Sequence, residues 1–312
     1  QVLVITALAV ASLHLINQQT VPASAEFEAW QTEYGVHFDA QEEPYRRMIF
    51  IQNLKEITTH NANSKNSYSK GTNQFTHLSH QEFAEMFLSS IYYRENRASI
   101  PREDNNLAIE PLREIDWQAL GKISGVKDQG TCDAGYAFSS ASLIESFYLL
   151  DNKNLSLSEQ QIVDCSASYT TFGCQSGSRN GTLTFIREKG LTTSAQYPYK
   201  GVKNNCQREV GEYKPVYTHV EFNGCTDISS ALYASPLSVA VNAKDWQSYR
   251  AGVYDGCTST EVNHDILLIG QTAGNWRLKN SWGVRWGEFG YIRLKIGNTC
   301  GICEKPAFGF KR

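Results

Sequence analysis

Residues 129–139 read QGTCDAGYAFS and open the most informative segment of this 312-residue chain. They lead into a run over 135–151 in which Leu143 and Ile144 lie four and three positions before Phe147, with Phe138 as a further apolar residue near the start. Residues at that spacing share one face of a helix. The run therefore predicts a helix that begins at Gly135 and buries this face.

Further towards the carboxyl terminus, the pattern changes from helical to strand-like. Short apolar or alternating runs are separated by Gly, Asn and Asp, which is typical of strands. The predicted strands are 237–242, 265–269, 276–279 and 291–294. A helical part followed by a strand-rich part indicates an α+β architecture with a cleft between two lobes.

Two further motifs lie in the strand-rich part: Asn263-His264, and the run 280–283 of sequence NSWG. Together with 129–139, in this order, they resemble the papain family of cysteine proteases, and within it the cathepsin L-like members. The resemblance implies a papain-like two-lobe fold with a helical left lobe and a β-barrel-like right lobe. It also implies a proenzyme with a helical cathepsin-type propeptide.

The amino-terminal part agrees with that resemblance. Residues 26–88 look strongly helical, with a predicted helix over 41–61. A series at steps of four, four, three, four and four matches the helical signature of papain-type propeptides: Glu42, Arg46, Phe50, Asn53, Ile57 and Asn61. Gly71, Asn73 and Phe75 match a second propeptide motif, whose closing Asp is His77 here.

These features predict the organisation of the chain. Residues 2–15 are apolar but shorter than a membrane span, and Ala23-Ser24-Ala25 suits signal peptidase, so residues 1–25 are predicted to be a signal peptide remnant rather than a buried helix or an anchor. An inhibitory propeptide (I29-like) with a linker would occupy 26–107. The peptidase domain would occupy 108–312, with the helical lobe at about 118–215 and the β lobe at about 216–312.

The linker itself is predicted from composition. Residues 89–112 are polar, lack periodicity and contain two prolines, which marks them as a plausible cleavage segment. A signal peptide indicates the secretory pathway, with an extracellular or a lysosome- or vacuole-like destination.

The resemblance assigns the parts of a catalytic site. Gln129 would stabilise the oxyanion, His264 would be the acid/base, Asn280 would orient its ring, and Trp282 would shield that pair from water. The family uses a thiolate at a helix amino terminus as nucleophile, activated by the helix dipole and the imidazolium.

The nucleophile itself is missing. The family pattern Cys-Gly-Ser-Cys-Trp is replaced by CDAGY over 132–136, so that Gly135 stands where the reactive Cys belongs. Asp133 and Ala134 replace the neighbouring Gly and Ser, and Gln175-Ser176-Gly177 replaces Asn-Gly-Gly. Several changes around one cleft indicate a site released from catalytic demand.

Alignment to the family also suggests which residues line the substrate groove: Gly177, Ser178, Arg179, Ala240, Asp265 and Lys305. The family's pocket there is usually apolar, whereas this chain brings charges to it. Because an unpaired buried charge is costly, Asp265 and Lys305 are expected to pair inside the pocket. The alternative is that both point to solvent.

The chain has eight cysteines, all after residue 131. An even count in a secreted chain favours disulfides, although eight cysteines allow 105 pairings. The resemblance implies Cys132–Cys174, Cys165–Cys206 and Cys257–Cys300, and the remaining Cys225 and Cys303 would form a fourth bridge. Cys300 and Cys303 have zinc-like spacing but no second ligand pair, so neither a metal nor a cofactor is predicted.

The net charge of −3 argues against a nucleic-acid partner, which usually requires a basic protein. No membrane span is expected once the signal is removed. The predicted partner is the chain's own propeptide in the cleft, with peptides or a protein complex as further candidates.

Three functions remain open at this point. The chain is a catalytically silent papain-like protein with a binding or structural role, or an active cysteine endopeptidase whose nucleophile was replaced in this chain. The third reading is an assembly subunit that holds its propeptide permanently.

Overall fold

The computed structural model describes residues 23–89 and 113–310. The predicted signal peptide lies outside these ranges except for its last three residues, and the predicted linker does so except for Ser89. Within the described ranges, no helix is long and apolar enough to cross a bilayer.

Seven α-helices are formed by the described residues, and the predicted helices over 41–61 and 135–151 are among them with ends shifted by one or two positions. In chain order they are α1 (Ala23–Tyr34), α2 (Glu43–Asn61), α3 (His80–Phe87), α4 (Gly135–Leu150), α5 (Glu159–Cys165), α6 (Arg179–Lys189) and α7 (Gly224–Ala231).

The strands form one sheet in the order β1-β5-β8-β7-β6-β4-β9-β3, with β2 paired to β6. Their bounds are β1 (Tyr68–Lys70), β2 (Ile115–Asp116), β3 (His219–Phe222), β4 (Leu237–Val241), β5 (Tyr249–Tyr254), β6 (His264–Gln271), β7 (Asn275–Lys279), β8 (Tyr291–Lys295) and β9 (Ala307–Phe310). The four predicted strands correspond to β4, β6, β7 and β8.

Helix α4 packs on strand β6 at the centre of the molecule. Every residue of α4 from Gly135 to Phe147 is buried, and so are all eight residues of β6. Small residues such as Ala137 and Ala141 alternate with large apolar ones, so the helix can be enclosed on all sides. This packing brings the first residue of α4 next to His264, the first residue of β6.

The strongly helical region 26–88 contains three helices and also one strand. Residues Tyr68–Lys70 form β1, which pairs antiparallel with β5 and extends the sheet of the strand-rich part. The exposed edge of β5 offers unpaired backbone groups, and an extended segment satisfies them better than a helix would. A close approach is possible because Gly252 of β5 has φ +103°, and a Cβ there would lie 2.6 Å from the carbonyl oxygen of Ser67.

The propeptide signature residues hold α2 against the segment that follows it. Arg46 bonds Glu42 and Glu82 at 2.8 Å each. Asn53 Nδ2 donates to two carbonyl oxygens, those of Thr76 and Leu78, at 2.8 Å each.

The other three signature residues complete that contact. The side chains of Phe50 and Ile57 are buried, and Phe50 packs on the Phe27 and Trp30 rings. Asn61 exchanges two hydrogen bonds with the backbone of Lys70. The series therefore forms one continuous contact that folds the propeptide on itself.

All four disulfides expected from the sequence are present. They join Cys132 to Cys174, Cys165 to Cys206, Cys225 to Cys303, and Cys257 to Cys300. The eight cysteines all lie within 113–310, and none of them is a free thiol.

Candidate active site

Gly135 and His264 face each other at the amino terminus of α4. A Cβ atom placed on Gly135 would lie 3.1 Å from His264 Nδ1 and 3.2 Å from His264 Cε1. It would also lie 3.1 Å from the carbonyl oxygen of Asp265. The imidazole therefore sits directly against the position where a nucleophilic side chain would begin.

The second ring nitrogen of His264 is held by Asn280. His264 Nε2 lies 2.8 Å from Asn280 Oδ1, which also accepts a hydrogen bond from the backbone N–H of Ser281 at 2.8 Å. Because that oxygen can only accept, the ring carries its proton on Nε2. Nδ1 is then an acceptor facing Gly135, and it has no hydrogen-bond partner among residues 23–89 and 113–310.

Burial sets the charge of this ring. Desolvation lowers the pKa of His264 to about 4, although the bond to Asn280 opposes the shift. A thiolate at position 135 would supply a negative charge that raises the pKa of the ring. Without it, His264 is neutral at pH 5 and above.

Gln129 and Trp282 enclose the same site. Gln129 is fully buried, donates from Nε2 to the carbonyl oxygen of Cys132 at 3.0 Å, and accepts from the hydroxyl of Ser281 at 2.6 Å. The Trp282 ring lies 4.8 Å from the His264 ring, centroid to centroid, and is fully buried. The structure thus brings together all five positions that the sequence singled out for catalysis.

The propeptide covers this site. The rings of Phe75 and Phe83 pack edge-on against Trp282, with centroids 5.7 and 5.3 Å away. Gln74 Nε2 donates to the carbonyl oxygen of Trp282 at 2.6 Å. At the end of the described propeptide, the backbone N–H of Ser89 donates to the carbonyl oxygen of Asn263 at 2.8 Å, next to His264.

This geometry agrees with the comparison to known proteins. Residues 112–310 match the family described as papain family cysteine protease, and residues 27–83 match the cathepsin propeptide inhibitor domain. The chain belongs to the papain family.

Relatives match this papain-family chain over nearly its whole length. Cathepsin L 2 of Paramecium tetraurelia is 35% identical over 96% of the chain and 97% of the relative. Ananain of Ananas comosus is 37% identical over 92% and 87%. Among solved structures, a recombinant stem bromelain precursor has a TM-score of 0.81 at 33% identity, covering 93% of this chain and 99% of the other.

The groove of this papain-family chain contains an ion pair that the sequence did not predict. Asp265 is buried and pairs with Arg179, with Arg179 Nε 2.8 Å from Asp265 Oδ1. Arg179 also donates to the carbonyl oxygen of Ser238 at 2.8 Å, and its guanidinium lies 5.1 Å from the centre of the Phe308 ring. The bidentate donor geometry of Arg suits these several partners better than a Lys ammonium would.

Lys305 lies near this pair on the same side of the groove. It is half-buried, and burial together with the charge of Arg179 lowers its pKa. The ion pair that the structure shows for Asp265 is with Arg179, which the sequence did not single out as its partner. The alternative that Asp265 points to solvent is wrong, since its side chain is 5% exposed.

The remaining groove residues shape the wall around the pair. Ala240 lies opposite Asp265 in the register of β4 and β6 and is fully buried. Ser178 caps α6 by accepting from the N–H of Gly181 at 3.1 Å. Gly177 lies so close to Tyr136 that a Cβ there would come within 2.7 Å of the ring.

Sequence reasoning noticed Asp133 and Ser176 as departures from the family pattern but assigned them no role. In the structure both face Ser89. The hydroxyl of Ser89 donates to Ser176 Oγ, and it lies near enough to the Asp133 carboxyl to lower the pKa of that group. Burial, aided by the charge of Asp265, raises the pKa of Asp133 to about 7. The sequence indicates this feature through Asp133 and Ser176, which stand where the family pattern has glycine.

Proposed function

We propose that this chain is a papain-like peptidase homologue, held in proprotein form, that does not hydrolyse peptide bonds and acts by binding or as a structural component. The observation that carries the proposal is Gly135, which places a bare backbone against His264 Nδ1. Peptide hydrolysis by this family requires a nucleophile at that position to form an acyl-enzyme.

In this proposal, the site residues described around Gly135 do not supply a substitute nucleophile. Cys132, three residues away, is bonded to Cys174. Gln129 directs its amide N–H to the carbonyl oxygen of Cys132. His264 at neutral pH is an uncharged base and cannot act as the imidazolium partner of a thiolate.

The retained propeptide contacts support a binding or structural role. A chain without a nucleophile cannot cut its own propeptide, so removal would depend on another protease. The propeptide in the cleft is the first partner, and a peptide or a protein complex would be a further one. The four disulfides favour an oxidising compartment, such as the secretory pathway with an extracellular or a lysosome- or vacuole-like destination.

The second candidate is an active cysteine endopeptidase whose nucleophile was replaced in this chain. The observation in its favour is the arrangement around Gly135. Gln129, His264, Asn280 and Trp282 stand where such an enzyme needs them, and the bond of His264 to Asn280 is 2.8 Å long.

Both candidates are tested on the full chain between pH 4 and pH 7, with a mixed peptide library as substrate and iodoacetamide labelling read by intact mass. The chain as written is expected to cut no peptide and take no label. Peptide cleavage that iodoacetamide abolishes would overturn the proposal.

The matched variants Gly135→Cys and Gly135→Ser separate the candidates. Release of the propeptide and peptide cleavage by Gly135→Cys, and not by Gly135→Ser, would favour the replaced-enzyme reading. If neither variant cleaves peptides, the result would favour the inactive homologue, because restoring the nucleophile alone would not restore the reaction.

A further inference from the structure

A polar subsite lies over the start of α4, where the family pattern has two glycines. Asp133 stands two residues before Gly135, and Ser176 follows the disulfide-bonded Cys174. A parallel bridge between Asp133 and Gln175 holds the two segments side by side. Two polar side chains therefore point into a groove that would otherwise be lined by backbone.

Ser89 engages this subsite through both its backbone and its side chain. Its N–H donates to the carbonyl oxygen of Asn263 at 2.8 Å, and its hydroxyl contacts Ser176 and Asp133. Ser89 is 5% exposed and Ser176 is 3% exposed. The Ser89 hydroxyl thus gives the buried Ser176 Oγ a hydrogen-bond partner that an apolar residue would not supply, and it lies beside the partly buried Asp133.

The backbone of Ser176 is strained in a way that a glycine would avoid. Its φ is +111°, a conformation that L-residues with a side chain rarely adopt. Such strain persists only where surrounding contacts hold it, and it clusters at ligand sites. The side chain that accompanies this strain is the one that bonds Ser89.

A buried ion pair lies beside this subsite. The side chains of Arg179 and Asp265 are at least 94% buried, and Arg179 also donates to the carbonyl oxygen of Ser238. A bulky apolar group that displaced either side chain would separate a buried ion pair, which is strongly unfavourable. The subsite over α4 therefore offers polar contacts next to a region that disfavours large apolar side chains.

We propose that Asp133, Ser176 and the carbonyl of Asn263 form a subsite specific for a hydroxyl-bearing residue of an extended peptide, with Ser89 as its occupant in the proprotein. The inference rests on the proposed binding role and names the ligand class of that groove. A peptide from another chain would be accepted by the same chemistry: a Ser or Thr side chain whose own N–H reaches Asn263.

The propeptide serves as a built-in ligand for the test, so the full chain is used throughout. Native-state hydrogen exchange of the residue-89 amide, corrected for the intrinsic rate of each sequence, reports opening of its bond to Asn263. Ser89→Thr and Ser89→Val have nearly the same shape and differ by one hydroxyl. The Val variant is expected to open about tenfold more often than the Thr variant.

The same pair is then compared in a background carrying Asp133→Ala and Ser176→Ala. There the Thr and Val variants are expected to agree within about twofold, because the hydroxyl has lost its partners. Ser67→Ala is the matched control. It removes another propeptide hydroxyl, which bonds Asp255 at 2.7 Å on the exposed surface, and should leave the residue-89 amide unchanged.

Equal opening of the Thr and Val variants in the parent background would overturn the proposal, whether or not the Ala background folds. A difference of the same size in both backgrounds would also overturn it, by assigning the effect to other groups. Cleavage activity of the parent chain would defeat the proposed function and leave this exchange result standing, so the two failures are distinguishable.

Discussion

Two regions of the molecule each enclose a histidine whose pKa is lowered to about 4, yet they are built differently. One is the propeptide interface, by which we mean the contact of α2 with the propeptide segments that pack on it. The other is the cleft around Gly135. His77 lies between aromatic rings and beside Arg46, in an interface that several other contacts hold together. His264 is the centre of its region, and its Nδ1 faces a residue without a side chain.

The two regions therefore differ in how they respond to the loss of one residue. The interface distributes its stability over Phe50, Asn53, Asn61 and the Arg46 ion pairs. In the cleft, the reaction of this family depends on one side chain, the nucleophile at position 135. The contacts within the propeptide are present although that position is a glycine.

The largest expected effect tests the interface. Phe50→Ala removes a buried ring that packs on Phe27 and Trp30, with centroids 5.3 and 5.4 Å away. We expect the free energy of opening of α2 to fall by about 3–5 kcal/mol, measured by hydrogen exchange of its amides. The neighbouring Ile51→Ala, at an exposed position, should change it by less than about 0.5 kcal/mol. If the two variants had similar effects, the stability of α2 would not depend mainly on its buried face.

The next effect tests the cleft. Asp265→Ala leaves the buried guanidinium of Arg179 without its carboxylate, and we expect a loss of about 3 kcal/mol in urea unfolding. The double variant Arg179→Met/Asp265→Ala removes both charges and should recover to within about 1 kcal/mol of the parent. If the double variant is as unstable as the single one, packing rather than charge dominates this pocket.

Much of this layout could be predicted from the sequence because it depends on local patterns. Helical periodicity placed α4 and α2, and ordered motifs placed Gln129, His264 and Asn280. The ion pair of Asp265 with Arg179 could not be predicted in this way, because the two residues are far apart in the sequence. Their contact depends on distances across the lobes, which no sequence spacing encodes.

The buried charge cluster beside α4 is a second feature that the sequence did not reveal. Lys127 Nζ lies 2.6 Å from carboxylate oxygens of both Glu145 and Glu159, and both glutamates are almost fully buried. Charged residues are usually exposed, so a pattern-based analysis places them at the surface. Only the packed structure shows that one ammonium binds two buried carboxylates there.

A smaller effect compares the two histidines through pH. The folded-state pKa of His77 is about 4 and the unfolded value is 6.5, so the unfolded propeptide binds the proton more tightly. The stabilisation is complete above pH 6.5 and is lost as the pH falls towards 4. Burial is the main cause of the shift, and the charge of Arg46 adds to it, whereas Glu42 and Glu82 oppose it.

Between pH 7 and pH 4.5 we expect α2 to lose about 1–3 kcal/mol through this ring, with its partial exposure reducing the effect. Hydrogen exchange of α2 at the two pH values measures the loss. His77→Phe keeps an aromatic ring and removes the titration, so its loss should be smaller by that amount. The same loss in His77→Phe would assign the acid sensitivity to the Arg46–Glu82 ion pair instead.

The smallest expected effect is electrostatic and lies in the cleft. Gly135→Cys places a thiol at a helix amino terminus within reach of His264 Nδ1, where the helix dipole and the imidazole favour the thiolate. That negative charge should raise the pKa of His264 from about 4 by at least about one unit, which corresponds to ~1.4 kcal/mol. Gly135→Ser adds a side chain of similar size without a thiolate, so the imidazole shifts in an NMR pH titration should stay close to those of the parent.

Equal titration curves for the Gly135→Cys and Gly135→Ser variants would mean that the His264 ring does not respond to charge at position 135. The cleft would then lack this electrostatic coupling as well as the sulfur atom of the family's nucleophile.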